Sequence, residues 1–157
     1  MKIDLSAVPS RTGTNYPAPF IGLVEGRSRK KVGEAAGLKN FGVNLTTLAP
    51  GAQSALRHWH SAQDEFIYVV QGELVLIADE GEQMLKTGDM AGFAAGVANG
   101  HHLVNRSGEQ AVYLEVGDRA TPDRAEYPDN DLVYTPRPDG SGRFEHKNGE
   151  PYEQPSS

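Results

Sequence analysis

From Phe41 onward the chain alternates short apolar runs with polar breaks: FGVNLTTL, EFIYVV, ELVLIA, MAGFAA, HHLVN and AVYLEV. These runs are rich in β-branched and aromatic residues, which pack well on a pleated, half-buried surface. Turn chemistry separates them, at Pro50-Gly51, Gln71-Gly72, Asp79-Glu80-Gly81, Thr87-Gly88-Asp89 and Ser107-Gly108. Runs of this length at roughly ten-residue spacing predict five or six strands of a β-sandwich or barrel. No window between them offers a helical stripe long enough for a crossover, which argues against βαβ units. A single helical turn is expected at GEAAGL, Gly33 to Leu38.

The flanks differ from this middle. Pro9, Pro17 and Pro19 stand among few apolar positions in the first twenty residues, so residues 1–40 read as an extended arm and edge strands packing on the barrel. Beyond Gly117 the composition turns to GDRATPDRAEYPDNDLVYTPRPDGSGRF, rich in Pro, Asp and Arg. Residues 118–157 therefore read as a wrapping tail anchored by Tyr127, Leu132, Tyr134 and Phe144, around a barrel core of residues 41–117. At 157 residues the expectation is one all-β domain with a core large enough to need no staples.

Composition restricts the chemistry. A net charge of −6 lacks the basic footprint that phosphate-backbone binding requires, so no nucleic-acid partner is expected. The chain has no cysteine, which removes disulfides, thiolate ligands and cysteine nucleophiles together and leaves nitrogen and oxygen groups. The sequence also lacks an apolar run of about 18 residues and a signal-peptide core, so the expectation is a cytoplasmic protein without a membrane partner.

Four of the five histidines fall in two segments about forty residues apart. In RHWHSAQDEFIYVVQG, strand alternation puts His58 and His60 on one face and Trp59 on the other, a two-point chelate. Glu65 then heads an apolar column with Ile67 and Val69, where a carboxylate is costly unless paired or bound to a cation. The second segment, GDMAGFAAGVANGHHLVN, sends His101 and Leu103 to one face and His102 and Val104 to the other. Leu103 is the better core residue, which favours His101 as the inward group and leaves His102 at the rim. Such a donor set suits Fe(II), Mn(II), Ni(II), Zn(II) or Co(II).

These two segments resemble the paired motifs of the cupin superfamily. Gly51, His58, His60, Glu65 and Gly72 match the first motif with one extra residue before His58, and Gly88, Gly96, His101 and Asn105 match the second less closely. Ala94 replaces the usual proline, and the histidine falls two residues late, leaving the fourth ligand open among His101, His102 and Asn99. The gap to Gly72 favours Glu65 over Asp64 as the carboxylate ligand. GLKNFGVNLTTLAPGAQSALRHWHS, NGHHLVNRS, YLEVGDRATPDRAEYPDNDL and KNGEPY are further similar to a group of bacterial single-domain cupins, some labelled sugar-phosphate isomerases.

The resemblance implies a jelly-roll β-barrel with one divalent transition metal (Fe, Mn, Zn or Ni) held by His58, His60, Glu65 and His101. It implies a metal-dependent enzyme acting on a small oxygenated metabolite by isomerase, lyase or dioxygenase chemistry, the alternative being a non-catalytic small-molecule binding or sensing module. His102 and Tyr68 are the candidate catalytic groups by strand position, although Tyr68 also alternates with Phe66 and Val70 as a packing face. Tyr113, between Val112 and Leu114, reads as packing. A phosphate-bearing substrate would call for convergent cations, and neither Arg57 nor Lys86 obviously faces inward. Ile67, Val69, Leu76, Phe93 and Leu103 are expected to line the cavity. The arm and the apolar outer face of EFIYVV suggest a homodimer.

Overall fold

A computed structural model describes residues 1–153. Its strands are β1 (Ser10–Arg11), β2 (Arg27–Lys30), β3 (Phe41–Leu48), β4 (Trp59–His60), β5 (Glu65–Gln71), β6 (Glu73–Ala78), β7 (Gly81–Lys86), β8 (Met90–Phe93), β9 (His102–Val104), β10 (Ala111–Asp118), β11 (Ala125–Tyr127), β12 (Leu132–Pro136) and β13 (Gly142–Glu145). One helical turn, α1 (Val32–Ala35), lies where GEAAGL led us to expect it, and a 3₁₀ segment covers Ala18–Val24.

The six predicted runs all form strands, and the strands are more numerous than the apolar pattern revealed. Polar β7 escaped because only Leu85 of its six residues is buried. It forms because it hairpins with β6, from Glu73 opposite Lys86 to Ala78 opposite Gly81. The first twenty residues are not simply extended: β1 pairs with β2, and Pro17 leads into the 3₁₀ segment.

Antiparallel pairing gives a jelly roll in three sheet segments among the described residues. Six strands run in the order β1-β2-β3-β10-β5-β8, three in the order β7-β6-β9, and four in the order β13-β12-β11-β4. The core between the layers contains Leu48 of β3, Ile67 and Val69 of β5, Leu74 and Leu76 of β6, Leu103 of β9 and Tyr113 of β10. Period-two alternation places these side chains on the inner faces. A second cluster joins the two flanks, packing Tyr16 and Val24 from the N-terminal region on Leu56, Tyr127, Leu132 and Phe144. Tyr134 packs against it only partly buried.

Gly72 shows what the first motif's closing glycine does. Its φ is +79°, and a Cβ there would lie 3.0 Å from Gln110 O and 3.2 Å from Ala111 Cα. Only a residue without a side chain turns β5 into β6 this close to the start of β10. No helix among the described residues is long and apolar enough to cross a membrane.

Candidate metal centre

The two histidine segments meet backbone to backbone. His58 N–H donates to His101 O at 3.2 Å, and His101 N–H donates to His58 O at 2.9 Å, forming an isolated antiparallel bridge. Ligand atoms of His58, His60 and Glu65 all lie within 4.8 Å of one another. Glu65 Oε2 is 3.8 Å from His58 Nε2, 3.7 Å from His60 Nε2 and 2.9 Å from His101 Nε2. Thus the three imidazoles present Nε2 to one carboxylate oxygen.

What lies behind the rings fixes that orientation. His58 Nδ1 is 2.8 Å from Leu56 O, and His60 Nδ1 is 2.6 Å from Asp123 Oδ2. An imidazole whose outer nitrogen donates to a carbonyl or carboxylate keeps its inner lone pair for a metal, as ligating histidines do. Asp123 is itself held, with Oδ1 accepting from Ala62 N–H at 2.8 Å. The His101 ring stacks on Phe93 with centroids 3.5 Å apart and planes 1° apart, while its buried Nδ1 has no partner. Burial lowers the His58 pKa to about 4. Burial also opposes ionisation of Glu65, but the His101 hydrogen bond and the surrounding imidazoles outweigh it and bring the pKa to about 2. At neutral pH His58 is therefore neutral and Glu65 ionised, the protonation that metal binding needs. The donor set and its outer partners fit a divalent transition metal.

The other candidates lie elsewhere. His102 points away from the cluster, with Nδ1 2.9 Å from Ala55 O, as alternation about His101 requires. Asn99 is committed to Asp79 N–H and to Glu80, and the exposed Asp64 accepts from Ala95 N–H at 2.7 Å. Tyr68 sits on the face of β5 opposite Glu65 and opposes Met90 and Leu114, so neither Tyr68 nor His102 lines the cavity. The structure therefore does not bring either catalytic candidate to the cluster: their strands turn both side chains to the opposite face. Arg57 also faces out, paired with Asp79 and Asp129. His146, the fifth histidine, pairs with Asp131 at 2.7 Å and stacks on Tyr152.

A cavity of about 450 Å³ opens from the cluster, lined among others by Ile67, Phe93 and Leu103 as expected, whereas Val69 is buried in the core and Leu76 lines only a second cavity. That second cavity, of about 480 Å³, lies beyond His60, Glu65 and His101 and is walled by Trp59, Leu76 and Val97. The first is far more polar than the sequence suggested, since Arg27, Arg29, Asn44, Tyr113 and Glu115 also line it. Glu115 lies two residues from Gly117, which opposes Glu65 in the β10–β5 register. It accepts from Asn44 Nδ2 at 2.9 Å and lies 3.1 Å from Arg29 Nε. Alternation in YLEVG could have found it, because Tyr113, Glu115 and Gly117 share a face. No local signal could have found Asp123, sixty-three residues from His60.

A jelly roll carrying two histidine segments and a glutamate at one end of its interior defines a cupin fold, and the chain belongs to the cupin superfamily. Residues 44–117 match the family described as Cupin domain. The chain is similar to a cupin-superfamily sugar phosphate isomerase from Silicibacter pomeroyi, with 43% identity over 98% of this chain and 97% of that one and a TM-score of 0.93. A protein from Acidithiobacillus ferrooxidans, proposed to be a sugar phosphate isomerase, shares 27% identity over 82% of this chain and 81% of its own, with a TM-score of 0.72. The polyketide cyclase RemF from Streptomyces resistomycificus shares the fold at 18% identity and a TM-score of 0.64, covering 78% and 82% of the two chains. No curated protein matches the sequence.

Proposed function

We propose that this protein is a metal-dependent enzyme of isomerase or lyase type acting on a small oxygenated metabolite. His58, His60, Glu65 and His101 would hold one divalent metal, which supplies Lewis-acid polarisation of a substrate oxygen when bound. The observation that carries the reading is the convergence of three Nε2 atoms on one Glu65 oxygen beside a cavity that also presents the Glu115 carboxylate. Proton abstraction beside a carbonyl needs such a base, and Glu115 takes the place that His102 and Tyr68 leave. Asn44 and Arg29 orient Glu115, and Phe93 and Ile67 keep that wall of the cavity apolar. The 43%-identical relative's description as a sugar phosphate isomerase supports the same reaction class.

The test compares wild type, His58→Ala/His60→Ala and Glu115→Gln, purified without chelator or affinity nickel. Metal should be stoichiometric in wild type and Glu115→Gln and lost from the double variant. Turnover of hydroxy-carbonyl metabolites should be lost in both variants. Metal retained at wild-type stoichiometry in the double variant would sink the reading. Full metal with turnover indifferent to Glu115 would remove its role as base, and ligand binding without any turnover would favour the binding-module alternative. Iron-dependent oxygen uptake would instead place the chemistry among the dioxygenases. We also propose a homodimer through the outer face of β5 and β8, where Phe66, Val70 and Met90 are exposed. A monomer by light scattering at micromolar concentration would contradict it.

A further inference from the structure

Three buried side-chain atoms without hydrogen-bond partners stand in one cross-strand row. Arg29 of β2 opposes Thr46 of β3, and Thr46 opposes Tyr113 of β10. Thr46 Oγ1 and Tyr113 Oη have no hydrogen-bond partner, and Arg29 Nε has only the Glu115 carboxylate at 3.1 Å, an ion pair without hydrogen-bond geometry; among the described residues only His101 Nδ1 is a further buried side-chain atom without a hydrogen bond. Thr46 is 0% and Tyr113 1% exposed. Leaving buried hydroxyls unsatisfied is costly, so a folded protein rarely sets two side by side, next to an arginine whose Nε is only ion-paired, unless something else satisfies them. All three can donate. Burial, with the Glu115 charge beside it, keeps the Tyr113 phenol protonated, and its Oη lies among Glu115, Arg29 and Thr46 without a well-aligned hydrogen bond.

The charge around the row has a consistent sign. Arg27, one inner position back along β2, is 6% exposed and has no carboxylate partner among the described residues. Its guanidinium is held by neutral carbonyls, donating to Ser54 O at 2.5 Å and to Gly13 O at 2.9 Å. Arg29 shares Glu115 with Asn44, so the two arginines leave a local excess of one positive charge over that carboxylate. Lys31 and Arg119, further out on the cavity wall, are both drawn to Glu34, at 3.2 and 3.7 Å.

We propose that the row Arg29–Thr46–Tyr113, backed by Arg27, is an oxyanion subsite that receives a phosphate or carboxylate group of the substrate. Tyr113 opposes Val69, four residues along β5 from Glu65, which is roughly 13 Å at about 3.3 Å per residue. The subsite therefore binds one end of a metabolite whose oxygenated reacting end lies at the histidine cluster. The inference rests on the cavity being the substrate site and specifies the class: an anionic hydroxy- or oxo-metabolite with its charge remote from the reacting carbon.

The test is calorimetric titration of the metal-loaded protein with inorganic phosphate and separately with acetate, against sodium chloride at equal ionic strength. Wild type should bind at least one of them saturably. Arg29→Gln and Tyr113→Phe should each weaken that binding by roughly tenfold or more, as expected for loss of a hydrogen bond to a charged group, while keeping the metal. The His58→Ala/His60→Ala variant should still bind the anion to within about threefold, because the row lies away from the metal ligands. Preference for phosphate assigns the substrate to phosphate esters, and preference for acetate to carboxylates. No saturable binding of either anion overturns the subsite, as does equal binding in wild type and both row variants. So does anion binding that disappears with the histidines alone. The Tyr113→Phe melting temperature should not fall, since an unpartnered hydroxyl is being removed; a drop of several degrees would make the hydroxyl structural and overturn its assignment. Metal retained by the histidine variant would defeat the proposed metal centre while leaving anion binding at the row intact, so the two failures are distinguishable.

Discussion

Replacing Asp123 with asparagine tests whether the centre depends on a residue that touches no substrate. Asp123 Oδ2 lies 2.6 Å from His60 Nδ1, and Oδ1 accepts from Ala62 N–H at 2.8 Å. Asparagine preserves shape and can keep the Ala62 bond through its carbonyl oxygen. It then turns an amide donor toward His60, which must accept at Nδ1 and carry its proton on Nε2, the nitrogen that faces Glu65. Changes of this kind behind a ligating histidine typically reduce metal affinity about 10- to 100-fold, or about 1.4–2.8 kcal/mol. Competition with a chromophoric chelator measures the affinity, and urea denaturation of the metal-free protein checks that folding is not the cause. Affinity within twofold of wild type in Asp123→Asn would refute the argument that the tautomer of His60 is set from outside the cluster.

Four further outcomes follow from the same geometry. Tyr68→Phe and His102→Ala should leave metal affinity within about twofold of wild type by the same competition assay, since both side chains face away from Glu65. Gly72→Ala should lower stability by roughly 2–4 kcal/mol in urea denaturation, combining a left-handed backbone with contact against Gln110 and Ala111. Leu74→Ala, at a fully buried core position, should cost about 2–5 kcal/mol by the same measurement. The pH dependence follows from His58, whose pKa drops from 6.5 unfolded to about 4 folded. Between these values the unfolded chain binds the proton first, so the metal-free protein should lose on the order of 3 kcal/mol as pH falls from 6.5 to 4. Above 6.5 this contribution is fully present, and stability that stays flat through the window would contradict the burial of that imidazole.

The division between what sequence and structure decide follows the range of the interactions. Alternation is local, so it was enough to put His58 with His60, to turn His101 inward and His102 outward, and to mark the runs that became β3, β5, β6, β8, β9 and β10. The aromatic anchors of the tail were legible too, because Tyr127, Leu132 and Phe144 are large apolar residues in a polar segment. Local patterns were weaker where a strand is polar and formed by its neighbour, as in β7, or where its inner face is charged, as in β2. The run RSRKK gave no hint that Arg27 and Arg29 line a cavity, because a charged strand normally reads as a solvated edge. Only pairing β2 to β3 and β3 to β10 sets Arg29, Thr46 and Tyr113 side by side, and only folding the C-terminal segment over β4 brings Asp123 to His60. The sequence by itself determined which faces carry donors. Register across strands decided which donors meet, because each contact joins residues whose separation along the chain carries no periodic signal.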